Sequence, residues 1–220
     1  MTRENAALKK PDDVTDFPVH KQGVSDDLFR AVAKGNGSWY FASTPTGRFN
    51  LSSPRGTCYM ATDIPTAIRE RLGETFTRER LVPQATVDAM EVTTLRLPAE
   101  AKLADTGAEA AANFGAIREL GSISNAYALT CQWATAFDSA GLDGVLYGSR
   151  FTSIARSTAI AYFGAEGPKP TWDDSGDRYT GEEAFILADM EAFIEPIPTS
   201  SAMRMASTPK LASTPKWISS

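Results

Sequence analysis

Apolar residues in this chain come in short runs, each closed within a few positions by glycine, proline or a polar turn. LFRAVA (28–33), WYFAS (39–43), TCYMAT (57–62), GVLYGS (144–149) and TAIAYFG (158–164) have strand length. MEVTTLRL (90–97) alternates and stops at Pro98. Runs this short predict strands rather than the faces of long helices, and KGNG (34–37) supplies the turn between the first two. Helical patterning is rarer. Asp63 is suited to cap a helix that has Pro65 in its first turn, Ala67, Ile68 and Leu72 on one side, and Gly73 as its stop. The stretch 107–121 favours helix with a break at Gly115. AYALTCQWATAFDSAG (126–141) is the clearest helix, with Tyr127, Cys131, Ala134 and Phe137 at helical spacing and Gly141 at its end. Strands mixed with a few helices, without regular βαβ alternation, predict an α+β fold.

The 220 residues, 42% of them hydrophobic, suit one domain with tails. Residues 1–25 are mostly polar and read as an N-terminal arm, residues 26–198 as the folded body. A polar loop (168–183) leads to AFILADMEAFIEPI, read as a final strand or strand plus turn. The near-duplicate ASTPKLASTPK marks 199–220 as a Ser/Thr/Pro/Lys tail that buries little apolar area. No apolar run has membrane-spanning length, and MTRENAALKKPDD has no apolar signal core, so the expected location is the cytoplasm.

Charge placement says more than the total. The formal net charge of −5 argues against general nucleic-acid binding. Yet Leu28 to Thr62 holds no Asp or Glu, while it holds Arg30, Lys34, Arg48 and Arg55. A basic, acid-free window in an acidic protein suits a small anionic ligand, and a chance gap with solvated arginines is the plain alternative. Familiar catalytic motifs are absent: no GxSxG, no GxxxxGK[ST], no GxGxxG after a strand. One histidine, His20, and two distant cysteines, Cys58 and Cys131, support neither a metal site nor a nucleophile–histidine pair, and the thiols read as free. What remains is arginine, carboxylate, hydroxyl and aromatic chemistry. That set suits cleavage of the nicotinamide–ribose bond of NAD. The leaving base is already activated by its charge, so the site needs a carboxylate near the ribose, arginines for the pyrophosphate and an aromatic face.

LFR (28–30), GRFN (47–50), TCYMATD (57–63), Glu70, CQWATAFDSAGLDGVLYGSR (131–150) and TAIAYFG form an ordered set that resembles the RES domain family over roughly residues 26–165. The resemblance implies an ADP-ribosyltransferase-like α+β fold of small twisted β-sheets with flanking helices. It implies a toxin of a bacterial toxin–antitoxin system that degrades NAD by hydrolysis or phosphorolysis. NAD would be substrate, inorganic phosphate a co-substrate, no separate cofactor or metal would be needed, and the partner would be an Xre-type helix-turn-helix antitoxin. Arg30 would grip a phosphate or ribose oxygen, and Arg48 would be a second phosphate contact. Tyr59 would stack on a flat ring, with core packing as the alternative. Glu70 would bind ribose hydroxyls and stabilise the developing cation, with a solvated helix acid as the alternative. Asn50 and Arg55 are weaker matches, turn residues by default. The family serine has no direct counterpart at the start of the 126–141 helix. Thr130 is the candidate hydroxyl, Ser124 and Ser149 are alternatives, and Thr130 could instead bond a preceding carbonyl. Two other readings use the same residues: a protein-modifying ADP-ribosyltransferase, and a non-catalytic NAD-binding module.

Overall fold

The computed structural model describes residues 8–116, 119–122, 127–152, 158–172 and 176–195. Its first elements are β1 (Val19–Gln22), β2 (Leu28–Ala33), β3 (Tyr40–Phe41), β4 (Arg55–Ala61) and α1 (Ile64–Glu79). β5 (Val82–Pro83), α2 (Gln84–Asp88), β6 (Met90–Leu95) and β7 (Ala101–Asp105) follow. After a 3-10 turn at Glu109–Phe114 come α3 (Glu119–Ser122), α4 (Tyr127–Ser139), β8 (Gly144–Gly148) and β9 (Thr158–Ala165). The chain then forms β10 (Gly167–Pro168), β11 (Arg178–Thr180), α5 (Gly181–Leu187) and β12 (Ile194–Glu195). The α+β reading from sequence holds.

Eight strands form one sheet in the order β1-β7-β8-β9-β4-β2-β6-β11. Neighbours are antiparallel except β7 and β8, whose parallel pairing is made possible by the long crossover that carries α4. The ladders are uneven. β4 and β9 pair over seven positions and β2 and β6 over six, but β2 meets β4 only at Phe29↔Ala61. The sheet therefore has a weak joint at β2/β4. On one face α4 packs Trp133 and Phe137 against Phe17, Phe49 and Val145 on one side of this joint. α1 and α5 pack Ile68, Phe76 and Phe185 against Val92 on the other side. The opposite face carries a third cluster with Leu28, Phe41, Cys58 and Met60. Two helix-covered cores flanking an under-paired joint leave a cleft between them.

The helix after β4 starts as its sequence dictates. Asp63 is extended, its carboxylate accepts from Thr66 N at 2.7 Å, and Pro65 sits where no N–H is needed. Gly73 breaks this helix without ending it. Its φ of 62° and ψ of −141° are open to glycine alone, and helical turns resume to Glu79, where left-handed Arg80 closes them. The first segment also departs from the reading of residues 1–25 as an arm. Leu8, Val14 and Phe17 are buried, Lys9 O accepts the Trp133 indole N–H at 2.9 Å, and β1 pairs with β7. Few apolar residues suffice because Phe17 inserts among Phe114, Trp133 and Phe137, and Leu8 and Val14 join the same cluster. The 107–121 stretch forms a 3-10 turn with left-handed Gly115 at its end, then α3. AFILADMEAFIEPI, expected as a final strand or strand plus turn, forms among the described residues only the short β12 near its end, and its first residues belong to α5. A reciprocal cap explains this: Thr180 Oγ1 accepts from Glu183 N and the Glu183 carboxylate accepts from Thr180 N. The tail at 199–220 lies outside the described residues. Among the described residues no helix is long and apolar enough to cross a membrane.

Candidate active site

The cleft at the β2/β4 joint has a volume of about 370 Å³, within the range of small-molecule sites. Its floor is Phe29 and Ala31 of β2 with Tyr59 and Ala61 of β4; Glu70 comes from α1, and Tyr147 from β8. The acid-free loop 44–50 closes one side with Arg48.

GRFN builds that side by hydrogen bonding. Phe49 is fully buried against Tyr147, ring centroids 5.0 Å apart. Tyr59 O–H accepts from Phe49 N and donates to Asn50 Oδ1, both at 2.8 Å. Asn50 Nδ2 donates to Thr44 O at 2.6 Å, and Thr57 Oγ1 donates to Phe49 O at 2.8 Å. Gly47 is required because a Cβ there would lie 2.3 Å from Asn50 Oδ1. Thr130 Oγ1 donates to Arg48 O from α4. With Phe49 pinned inward, Arg48 faces the cleft. It is 6% exposed, its guanidinium lies 5.5 Å from the centroid of the Tyr147 ring, and its Nε and Nη1 are buried without a hydrogen-bond partner among the described residues. Glu70 is half-buried on the same cleft, and its Oε1 is shielded with no hydrogen-bond partner among the described residues. Burying a charged group without partners costs several kcal/mol in rough terms. Arg48 carries most of that cost, while Glu70 is half-buried with one oxygen shielded, so atoms of opposite charge around one cavity stand open to a polar ligand.

The structure divides the residues expected from sequence. Arg48, Glu70 and Tyr59 meet at the cleft. Tyr59 contributes its ring, while its hydroxyl is a peg for the loop. Burial pushes the Tyr59 phenol well above its ordinary value, and burial with the nearby Glu70 charge does the same to Tyr147. Both stay protonated near neutral pH and neither can serve as a base. Arg30 borders the cleft, but its Nη1 donates to Ser38 O at 2.8 Å, to Tyr40 O at 3.3 Å and to Cys58 Sγ. Side chains alternate along β2, and Phe29 takes the cleft face, so Arg30 takes the other. Here it ties β2 to the 38–40 segment and to β4. Asn50 stands behind the cleft wall with its amide engaged, as above. Thr130 is fully buried and its hydroxyl also lies 3.0 Å from Tyr127 O, the local carbonyl bond open to a helical threonine. Neither Asn50 nor Thr130 lines the cleft. Ser149 Oγ accepts from Phe151 N at 3.3 Å and shapes the turn after β8. Arg55 pairs with Asp138 of α4 at 2.6 Å. Ser124 lies outside the described residues. Both cysteines are free, and among the described residues no His, Cys, Asp and Glu cluster could hold a metal ion.

Several cleft residues escaped the sequence reading, Tyr147 and Glu74 among them. Tyr127 opens α4. Arg150 follows β8, its guanidinium 4.6 Å from the centroid of the Phe151 ring. A signal for Arg150 existed, because residues 144–165 form a second window without Asp or Glu.

The fold and cleft define an α+β protein with its candidate site at a joint within one sheet. Over residues 27–186 the chain matches the RES domain, and it belongs to the RES domain family. Curated proteins give no significant match. Among solved structures, a chain of the M. tuberculosis MbcT–MbcA toxin–antitoxin complex is similar in fold, with a TM-score of 0.53 at 11% identity, covering 77% of this chain and 92% of that one.

Proposed function

We propose that this protein is a RES-type toxin that cleaves the nicotinamide–ribose bond of NAD. The observation that carries the reading is a set of buried polar atoms on one aromatic-lined cleft, Arg48 Nε and Nη1 with Glu70 Oε1, that have no hydrogen-bond partner among the described residues. A dinucleotide brings a matching set of groups: phosphate oxygens for Arg48, ribose hydroxyls for Glu70 and a flat cationic ring for the tyrosines. The C1′–N bond breaks with its electron pair going to nicotinamide, which leaves neutral. The carboxylate of Glu70 stabilises the oxocarbenium-like C1′. Water then adds at C1′ and loses a proton to give ADP-ribose, or phosphate adds to give the 1-phosphate. In this scheme Thr130 acts through Arg48 and Arg30 through the sheet, both as positioning residues.

Membership of the RES domain family supports the toxin reading, and with it a partner antitoxin of the Xre helix-turn-helix type. The test is direct. Purified protein is incubated with NAD, with and without phosphate, and free nicotinamide is followed. Nicotinamide release with ADP-ribose or its 1-phosphate is expected. A folded sample that releases none in either condition would overturn the proposal. Label from NAD ending on protein would favour the modifying transferase, and NAD binding without turnover the binding module.

A further inference from the structure

Arg150 has no part in the scheme above, yet it stands at the cleft with its guanidinium incompletely engaged. Its side chain is 14% exposed. Nη2 donates to Glu74 Oε1 at 3.1 Å, the face of the guanidinium rests on Phe151, and Nε is buried with no hydrogen-bond partner among the described residues. The Glu74 side chain is 70% exposed. It follows immediately on Gly73, whose positive φ makes the kink in α1, and both residues line the cleft. Of the charged side chains lining the cleft, Arg48, Arg71 and Arg150 face Glu70 and Glu74, with Arg30 tied to Ser38 and Tyr40. Glu74 is the acid occupied with Arg150.

From this geometry we infer that Arg150 is a second phosphate-binding residue of the cleft, held by Glu74 until a ligand phosphate takes its place. The inference rests on the dinucleotide reading for the identity of the ligand. A carboxylate as exposed as Glu74 gains little from an ion pair, because water and salt compete for it. A phosphate inside the cleft can take Nε and Nη2 together, in the fork geometry that suits guanidinium to oxyanions. Exchange therefore satisfies the buried Nε and returns Glu74 to solvent. Phe151 holds the guanidinium plane in register during the exchange.

The two residues of the ion pair should then have opposite effects. Isothermal titration of the full chain with ADP-ribose and with inorganic pyrophosphate tests this, with adenosine as a phosphate-free control. Arg150→Gln is expected to weaken ADP-ribose and pyrophosphate binding about tenfold or more, the scale of a lost charge-assisted pair. It should leave adenosine unchanged. Arg150→Lys keeps the charge without the fork and should fall between. Glu74→Gln removes the competitor and should leave binding equal or tighten it by a few fold. If Glu74→Gln weakens binding as Arg150→Gln does, the pair is structural and the inference fails. It also fails if Arg150→Gln leaves both phosphate ligands unaffected, or if the parent protein binds neither. Arg150-dependent pyrophosphate binding by a protein that does not turn over NAD would uphold the anion site and overturn only the proposed reaction.

Discussion

Replacing Arg48 by methionine should abolish ligand binding while leaving the free protein at least as stable. Methionine occupies much the same channel as the arginine stem and brings no charge. In the parent, Nε and Nη1 are buried without partners among the described residues, and each unmet buried donor costs about 1–3 kcal/mol. Their removal therefore favours the variant by about 2 kcal/mol at the low end of that range. Against this stands the contact of the guanidinium with Tyr147, 5.5 Å from its ring centroid, a class of interaction worth about 0.5–2 kcal/mol. Glu70 also loses a neighbouring positive charge. The balance lies between about 0 and 1.5 kcal/mol in favour of the variant before the effect on Glu70, consistent with replacing buried ions by apolar side chains. In a chain of this size about 1 kcal/mol moves Tm by about 2–4 °C. Thermal denaturation of the two proteins without ligand, with ADP-ribose titration of each, gives both quantities. An unchanged or higher Tm with binding lost is the expected result. A Tm lowered by more than about 5 °C, a cost above 1 kcal/mol, would refute the reasoning, because the guanidinium would then be supporting the fold.

Thr130→Val should lose about 1–3 kcal/mol in urea denaturation, the cost of leaving buried carbonyls without their donor, and turnover should fall through a raised KM as Arg48 shifts. Full stability with kcat abolished would instead make the hydroxyl catalytic. Arg55→Gln should change stability by less than about 1 kcal/mol, since its partnership with Asp138 is solvent-exposed, and should leave turnover intact. Tyr59 and Tyr147 are held above the ordinary phenol value of 10.0 in the folded state, chiefly by burial. Above that pH the unfolded chain releases protons that the folded chain keeps, so the stability they contribute is complete below pH 10 and declines above it. Urea midpoints between pH 8 and 11 should show that decline, with a smaller slope in Tyr59→Phe.

The parts of this protein that were legible in its sequence are those set by local chemistry. Asp63, Pro65 and the apolar run before them fix a strand and a helix start without help from the rest of the chain. GRFN was legible as a motif, and the structure supplies its mechanics in Gly47, Phe49 and Asn50. Arg30 lines the cleft, but its bonds to Ser38, Tyr40 and Cys58 were not legible, for a reason of parity. Which face a strand residue takes depends on pairing, and Phe29↔Ala61 is a contact between distant segments. Thr130 was legible as a hydroxyl in the right helix, but its acceptor, Arg48 O, comes from a loop 82 residues earlier. Arg150 lay in a second acid-free window, but only the fold brings it beside α1. The polar first segment concealed Leu8, Val14 and Phe17, whose burial depends on the pocket around Trp133 and Phe137.

The central claim is that Glu70 acts on the ribose of a bound NAD. It is tested most directly by Glu70→Gln, which keeps the shape of the side chain and removes its charge. Nicotinamide release and ADP-ribose affinity are measured on the same folded preparation. The account predicts that release falls by at least about a hundredfold, as for loss of a transition-state charge contact, while ADP-ribose still binds. Release retained at the parent rate would contradict it.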